Sequence, residues 1–99
     1  MKFGLTPDQY EFIHRTVVIP LAAKGGSVWC YGSRARGDHR PFSDLDLMVD
    51  STTDLSPEVG HIRERLDESN FPFKVDLVQL SEFAKSYRPG FEKDKVQFS

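Results

Sequence analysis

Ninety-nine residues with eight Phe, three Tyr, one Trp and a 38% apolar share are enough for one folded domain spanning 1–99 and too apolar for a disordered chain. A formal charge of −2 excludes a general nucleic-acid coat protein, which would be basic, so a nucleic-acid partner is not expected. A single cysteine, Cys30, excludes an internal disulfide, and the sequence shows no signal-peptide core and no apolar run of membrane-spanning length, which together predict a soluble cytoplasmic protein with no membrane partner.

Thr6-Pro7-Asp8-Gln9 opens the first helix. Thr6 is the N-cap, Pro7 suits the first helical position, and Gln9 completes a capping box. Tyr10, Ile13, Val17 and Leu21 follow at helical spacing. Pro20 is expected to break or kink this helix, because it lacks a donor and presses on the preceding turn. Gly25-Gly26 ends it. Ser27 to Tyr31 reads as a strand with Val28 and Cys30 on one face and Trp29 and Tyr31 on the other, so both faces should be covered. Cys30 is then a small buried hydrophobe.

The next stretch carries the chemistry. Gly32-Ser33 forms a turn, Arg34 to Gly37 one helical turn behind it, and Asp38 to Ser43 a polar loop that Phe42 could anchor. Asp44-Leu45-Asp46 then heads a second strand running to Val49. Alternation puts Asp44 and Asp46 on one face, their Cα atoms roughly 6.6 Å apart. Two carboxylates so placed repel unless a cation lies between them. Mg²⁺ suits such a pair, being held by one or two carboxylates and by substrate phosphates. Glycine allows close backbone approach, turn amides attract anions, and the forked donors of Arg34, Arg36 and Arg40 match phosphate. Loop, acids and arginines together imply a site for a Mg²⁺–nucleoside triphosphate.

Beyond the loop at 51–56, Ser56-Pro57-Glu58 starts a helix with Val59, Ile62 and Leu66 as its core stripe and Arg63, Glu64, Asp67 and Glu68 on its solvated face. Asn70 to Pro72 breaks the chain, and Phe73 to Leu80 forms a third strand. Asp76 in its middle is expensive to bury without a partner. It reads as an edge-strand acid, as one paired with a neighbouring arginine, or as a third carboxylate converging on the same metals. A short helix from Ser81 through Phe83 and Tyr87, stopped by Pro89-Gly90, and a tail from Phe91 to Phe98 complete the chain; the tail could form a last strand or a partner-binding arm.

Gly-Ser, ten residues, then Asp-x-Asp resembles the signature of the DNA polymerase beta-like nucleotidyltransferase superfamily. The fuller string Gly-Ser-Arg-Ala-Arg-Gly…Ser-Asp-Leu-Asp-Leu resembles its smallest branch, the minimal nucleotidyltransferases, many of which are antitoxins of HEPN toxin–antitoxin pairs. The resemblance implies an α/β (α+β) fold, a small mixed β-sheet with helices packed on one side forming a nucleotidyltransferase core. It implies catalytic and metal-binding roles for Asp44, Asp46 and Asp76, and nucleotide binding by Gly32, Ser33, Arg34, Arg36 and Ser43. Two Mg²⁺ ions and ATP as substrate follow, the ions roughly 3.5–4 Å apart in the active complex.

The resemblance also implies the acceptor. Larger relatives add a helical domain that grips it, so here the acceptor surface would come from a partner protein or a second copy, in a homo- or hetero-oligomer, or from a nucleic acid end. The expected reaction is AMP transfer to a tyrosine of a HEPN toxin. Two alternatives stand beside it: a non-catalytic module that neutralises a toxin by contact, and a nucleotidyltransferase acting on a small molecule.

Overall fold

The capping box at the head of the chain forms as its residues dictate. Thr6 Oγ1 accepts from the Gln9 amide at 3.1 Å, and Gln9 Oε1 accepts from the Thr6 amide at 2.9 Å. A computed structural model describes residues 2–82 and 88–98. Helix α1 (Pro7–Ile13) continues through a π turn at His14–Val18 into α2 (Ile19–Ala22). Pro20 does not end the helix, as a break would require; the regular ladder is interrupted ahead of it instead. In the wider turn the Ile19 amide reaches five residues back to the His14 carbonyl. The ladder slips by one residue, and Pro20 falls in the first turn of a restarted helix, where no donor is needed. The stop comes at Gly25, whose left-handed φ of 84° lets Gly25 and Gly26 donate to the carbonyls of Ala22 and Leu21 at 3.0 and 2.8 Å.

Strands β1 (Ser27–Tyr31), β2 (Leu45–Asp50), β3 (Val75–Gln79) and β4 (Val96–Gln97) form one sheet in the order β3-β2-β1-β4. β1 runs antiparallel to β2 and β4, and β2 runs parallel to β3. The parallel pair needs a crossover, which α4 (Ser56–Glu68) provides. A short α3 (Ser33–Arg36) sits between β1 and the loop to β2.

Val28 and Cys30 of β1, Leu45, Leu47 and Val49 of β2 and Leu77 of β3 join Ile13, Val17, Leu21, Val59, Ile62 and Leu66 in one apolar core. Burial pushes the Cys30 thiol up to about 12, in keeping with its reading as a hydrophobe. The helices α1, α2 and α4 thus cover one face of the sheet. The last helix, α5 (Arg88–Asp94), takes the other face: Phe91 meets the Tyr31 ring edge-on at 5.6 Å, and Lys95 Nζ lies 4.8 Å over Trp29.

Pro89 and Gly90 lie inside the first turn of α5 rather than ending a helix, a position proline tolerates. The expected helix around Phe83 to Tyr87 lies outside the described residues. The tail becomes a strand: the Phe98 amide donates to the Val28 carbonyl at 2.9 Å, and its buried ring stacks on Tyr10 and Phe3 at 4.6 and 5.2 Å.

The start of α4 depends on a buried glutamine. Gln79 Oε1 accepts from the Leu55 amide at 2.9 Å, while Nε2 donates to Asp54 Oδ1, Ser56 Oγ and Glu82 Oε1 at 3.2, 2.9 and 2.8 Å. Ser56 is the first residue of the helix, not its cap, and donates to Asp54 from its amide at 3.1 Å and its hydroxyl at 2.6 Å. Gln79→Leu strands the buried Leu55 amide, so a urea melt should show a loss of about 2 kcal/mol. Among the described residues no helix is long and apolar enough to cross a membrane.

Candidate active site

At the end of β1 the backbone turns sharply. Gly32 has φ 75° and ψ −155°, a region essentially reserved for glycine. A Cβ built there would lie 2.6 Å from Asp46 Oδ2. The bend and the carboxylate are therefore packed against each other.

Register completes the site. Tyr31 pairs with Asp46 across β1 and β2, and Asp46 pairs with Asp76 across β2 and β3. Directly paired residues share a face, so Tyr31, Asp46 and Asp76 stand in a row across three strands. Asp44, exposed just before β2, adds its charge to the same group. Burial first, then Asp76 and Asp44, push the Asp46 carboxyl up to about 6; Lys74 and Arg36 pull it back. Burial, Asp46 and Asp76 likewise push the Tyr31 hydroxyl up to about 12.

Among the described residues no three His, Cys, Asp or Glu side chains form a ready-made metal cage. The acids present still fit Mg²⁺. They are hard oxygen donors, two of them are paired in register, and their mutual repulsion is what a divalent cation relieves. Mg²⁺ characteristically completes its shell with waters and substrate phosphates.

The remaining candidates divide. Ser33 heads α3, and its carbonyl accepts from the amides of Gly37 and Asp38 at 2.9 and 3.1 Å. Arg36 is exposed and bridges Asp38 at 3.1 Å and Asp94 of α5 at 2.9 Å, which ties the last helix to the acids' surroundings. Arg34 is elsewhere. It is 2% exposed, and its Nε, Nη1 and Nη2 donate to the carbonyls of Ser43, Phe3 and Pro41 at 3.0, 2.9 and 3.2 Å. Its guanidinium also stacks 3.9 Å over the Phe73 ring.

The fork expected to meet phosphate instead fastens the loop and the chain's start beneath Phe73, just ahead of β3. Arg34→Leu should lower stability by roughly 2–4 kcal/mol in a thermal melt, because three carbonyls lose their donor, and Arg34→Lys should rescue little of it for want of a fork. Ser43 closes the same loop, its Oγ accepting from the Arg40 amide at 2.8 Å. Phe42 anchors nothing; it is 76% exposed.

Two site residues escaped the sequence reading. Tyr31 looked like one face of a covered strand, and only its pairing with Asp46 puts it beside the acids. Lys74 lies two positions before Asp76, and that same-face spacing was the available signal.

A glycine bend facing acids that are paired across a mixed sheet defines a nucleotidyl-transfer domain. Residues 19–99 match the nucleotidyltransferase domain family, and the chain belongs to it. The chain is similar to a probable protein adenylyltransferase, MntA, of Haemophilus influenzae, 33% identical over 63 residues. The match covers 63% of this chain and 55% of that relative, so the chain spans about half the length of the protein it matches.

Among solved structures, the fold is similar to that of a toxin–antitoxin with AMP-PNP, with a TM-score of 0.67, 20% identity and coverage of 87% of this chain and 72% of the other. Two variants of a toxin–antitoxin MntA–HpeT match with TM-scores of 0.65 and 0.63 at 18% and 20% identity, covering 96% and 94% of this chain and 73% and 71% of theirs.

Proposed function

We propose that this chain transfers AMP from ATP to a hydroxyl of a partner protein, with a HEPN-domain toxin as partner and one of its tyrosines as acceptor. The observation that carries the transfer chemistry is the in-register pair Asp46 and Asp76 facing the bend at Gly32. The partner assignment rests on similarity to a probable protein adenylyltransferase and on a fold shared with toxin–antitoxin structures.

In this reading Asp44, Asp46 and Asp76 would hold Mg²⁺, which when bound would supply neutralisation of phosphate charge and a lowered pKa for the acceptor hydroxyl. The protein's own groups do the rest. The amides at Gly32 and Ser33 and the Ser33 hydroxyl hold the distal phosphates. Arg36 exchanges its carboxylate partners Asp38 and Asp94 for the charge that grows on the leaving group. Asp76 takes the proton of the incoming hydroxyl. The hydroxyl oxygen bonds to the α-phosphorus, the bond to the bridging oxygen breaks, and pyrophosphate leaves.

The test is to incubate the chain with ATP, Mg²⁺ and the product of the adjacent gene as the candidate toxin, and to weigh that product by intact mass spectrometry. A gain of AMP mass that requires both ATP and Mg²⁺ is the expected result. An unchanged toxin mass sinks the proposal.

A further inference from the structure

Asp76 borders two spaces. On one side are Asp46 and the bend at Gly32. On the other is a cleft of about 150 Å³ lined by Arg63, Asp67, Lys74, Val75, Asp76 and Leu77. The strand order sets a direction across them: the bend after β1, Asp46 on β2, Asp76 on β3, then the cleft beyond the sheet edge. In phosphoryl transfer the attacking and leaving oxygens lie roughly in line through phosphorus. With the distal phosphates at the bend, the acceptor hydroxyl must come from the opposite side, past Asp76 and over this cleft.

The cleft has a definite charge character. Arg63 is already engaged, donating from Nε and Nη2 to the Leu77 carbonyl at 3.0 and 2.6 Å. That grip on the outer edge of β3 also disfavours docking by strand addition, which leaves side-chain contacts to select the acceptor. Lys74 is different: it is exposed, and among the described residues no salt bridge or hydrogen bond engages its ammonium. Its carbonyl accepts from the Leu45 amide at 2.9 Å, so the extended pairing reaches it, and its side chain leaves on the same face as that of Asp76, roughly 6.6 Å along the strand. With Asp76 committed to metal, the cleft is left with two cations, Arg63 and Lys74, against one acid, Asp67. Two residues of an extended acceptor peptide also span roughly 6.6 Å.

We propose that Lys74 is a specificity residue for the acceptor, selecting a hydroxyl-bearing residue with an aspartate or glutamate within two positions. The inference rests on the nucleotidyl-transfer reading above and adds the acceptor's chemical class.

Three peptides test it, each with one tyrosine and identical except for flanks of Asp/Glu, Asn/Gln or Lys. Each is assayed with ATP and Mg²⁺ against the unmodified chain, Lys74→Ala and Lys74→Glu, and AMP incorporation is resolved into kcat and KM. The unmodified chain is expected to show a KM about tenfold lower for the acidic than for the basic peptide, Lys74→Ala to flatten that series of KM values, and Lys74→Glu to reverse it.

An order of preference that is the same in all three proteins overturns the inference. So does a uniform fall in kcat with KM unchanged, which marks a structural role. Labelling of the toxin but of no peptide overturns it too, because a two-residue flank then does not suffice. Labelling of neither peptides nor toxin removes the nucleotidyl-transfer reading itself, and this inference with it.

Discussion

Asp46→Asn is expected to reduce AMP transfer on the order of a thousandfold, the scale of losing a centrally placed electrostatic group, while making the metal-free protein more stable at neutral pH. The second effect follows from the position of the carboxyl. Burial, Asp76 and Asp44 push it up to about 6 in the folded chain, against an ordinary value of 3.8, with Lys74 and Arg36 as the opposing cations and the Tyr31 hydroxyl on the same face.

A group raised on folding favours the native state when protonated. Its contribution is fully present below pH 3.8 and is lost as the pH rises through about 6. A shift of that size is worth about 3 kcal/mol at 1.36 kcal/mol per pH unit, and solvent screening of a half-exposed group reduces this to about 1–2 kcal/mol. Asparagine keeps the shape without the charge, so its melting temperature should exceed that of the unmodified chain at pH 7 and converge with it near pH 4.

Thermal melts across that range in EDTA check the prediction. An Asp46→Asn protein that is less stable at pH 7 would show that the carboxylate is satisfied by partners in the folded state. Repeating the melts with Mg²⁺ and ATP should narrow the gap, because the ligands then stabilise the charged form.

Gly32→Ala should damage both fold and activity through one contact. The backbone there, at φ 75° and ψ −155°, costs a non-glycine residue about 1–3 kcal/mol. The new methyl would also stand 2.6 Å from Asp46 Oδ2. The carboxylate or the turn must shift, and misplacement by about an ångström is enough to lose on the order of a hundredfold in rate.

The two causes separate in a double-mutant cycle. In an Asp46→Ala background the steric clash is gone and only the backbone strain remains, so Gly32→Ala should cost less stability there than in the native sequence. Equal costs in both backgrounds would mean that the methyl never meets the carboxylate.

The parts of this molecule that could be read from the chain are those that depend on near neighbours. Thr6 and Gln9 form a capping box within four residues. Val59, Ile62 and Leu66 line the inner face of α4 because their spacing matches one helical face. The bend at Gly32 was legible because glycine permits the turn, and Asp46 facing away from Leu45 and Leu47 because side chains alternate along a strand. The family was legible for the same reason, since its signature lies within a short stretch.

What lay beyond reach depended on pairing between distant segments. The same residue type, arginine, occurs twice within three positions, yet Arg34 is buried under Phe73 and three carbonyls while Arg36 stays in solvent between two carboxylates. Composition cannot separate them, because the partners come from residues 3, 41 and 43 in one case and from Asp38 and α5 in the other.

Pro20 carried a strong local rule that a one-residue widening of the helix overrode. Tyr31 and Lys74 joined the acids only when β1, β2 and β3 took their register. Neighbour-to-neighbour geometry therefore pointed to Asp44 and Asp46 together, and the register of β2 and β3 added Asp76. The packing of the sheet decided how far their charge is desolvated, which cations stand near them and from which side an acceptor can approach, because those quantities depend on groups brought together only after the chain has closed on itself.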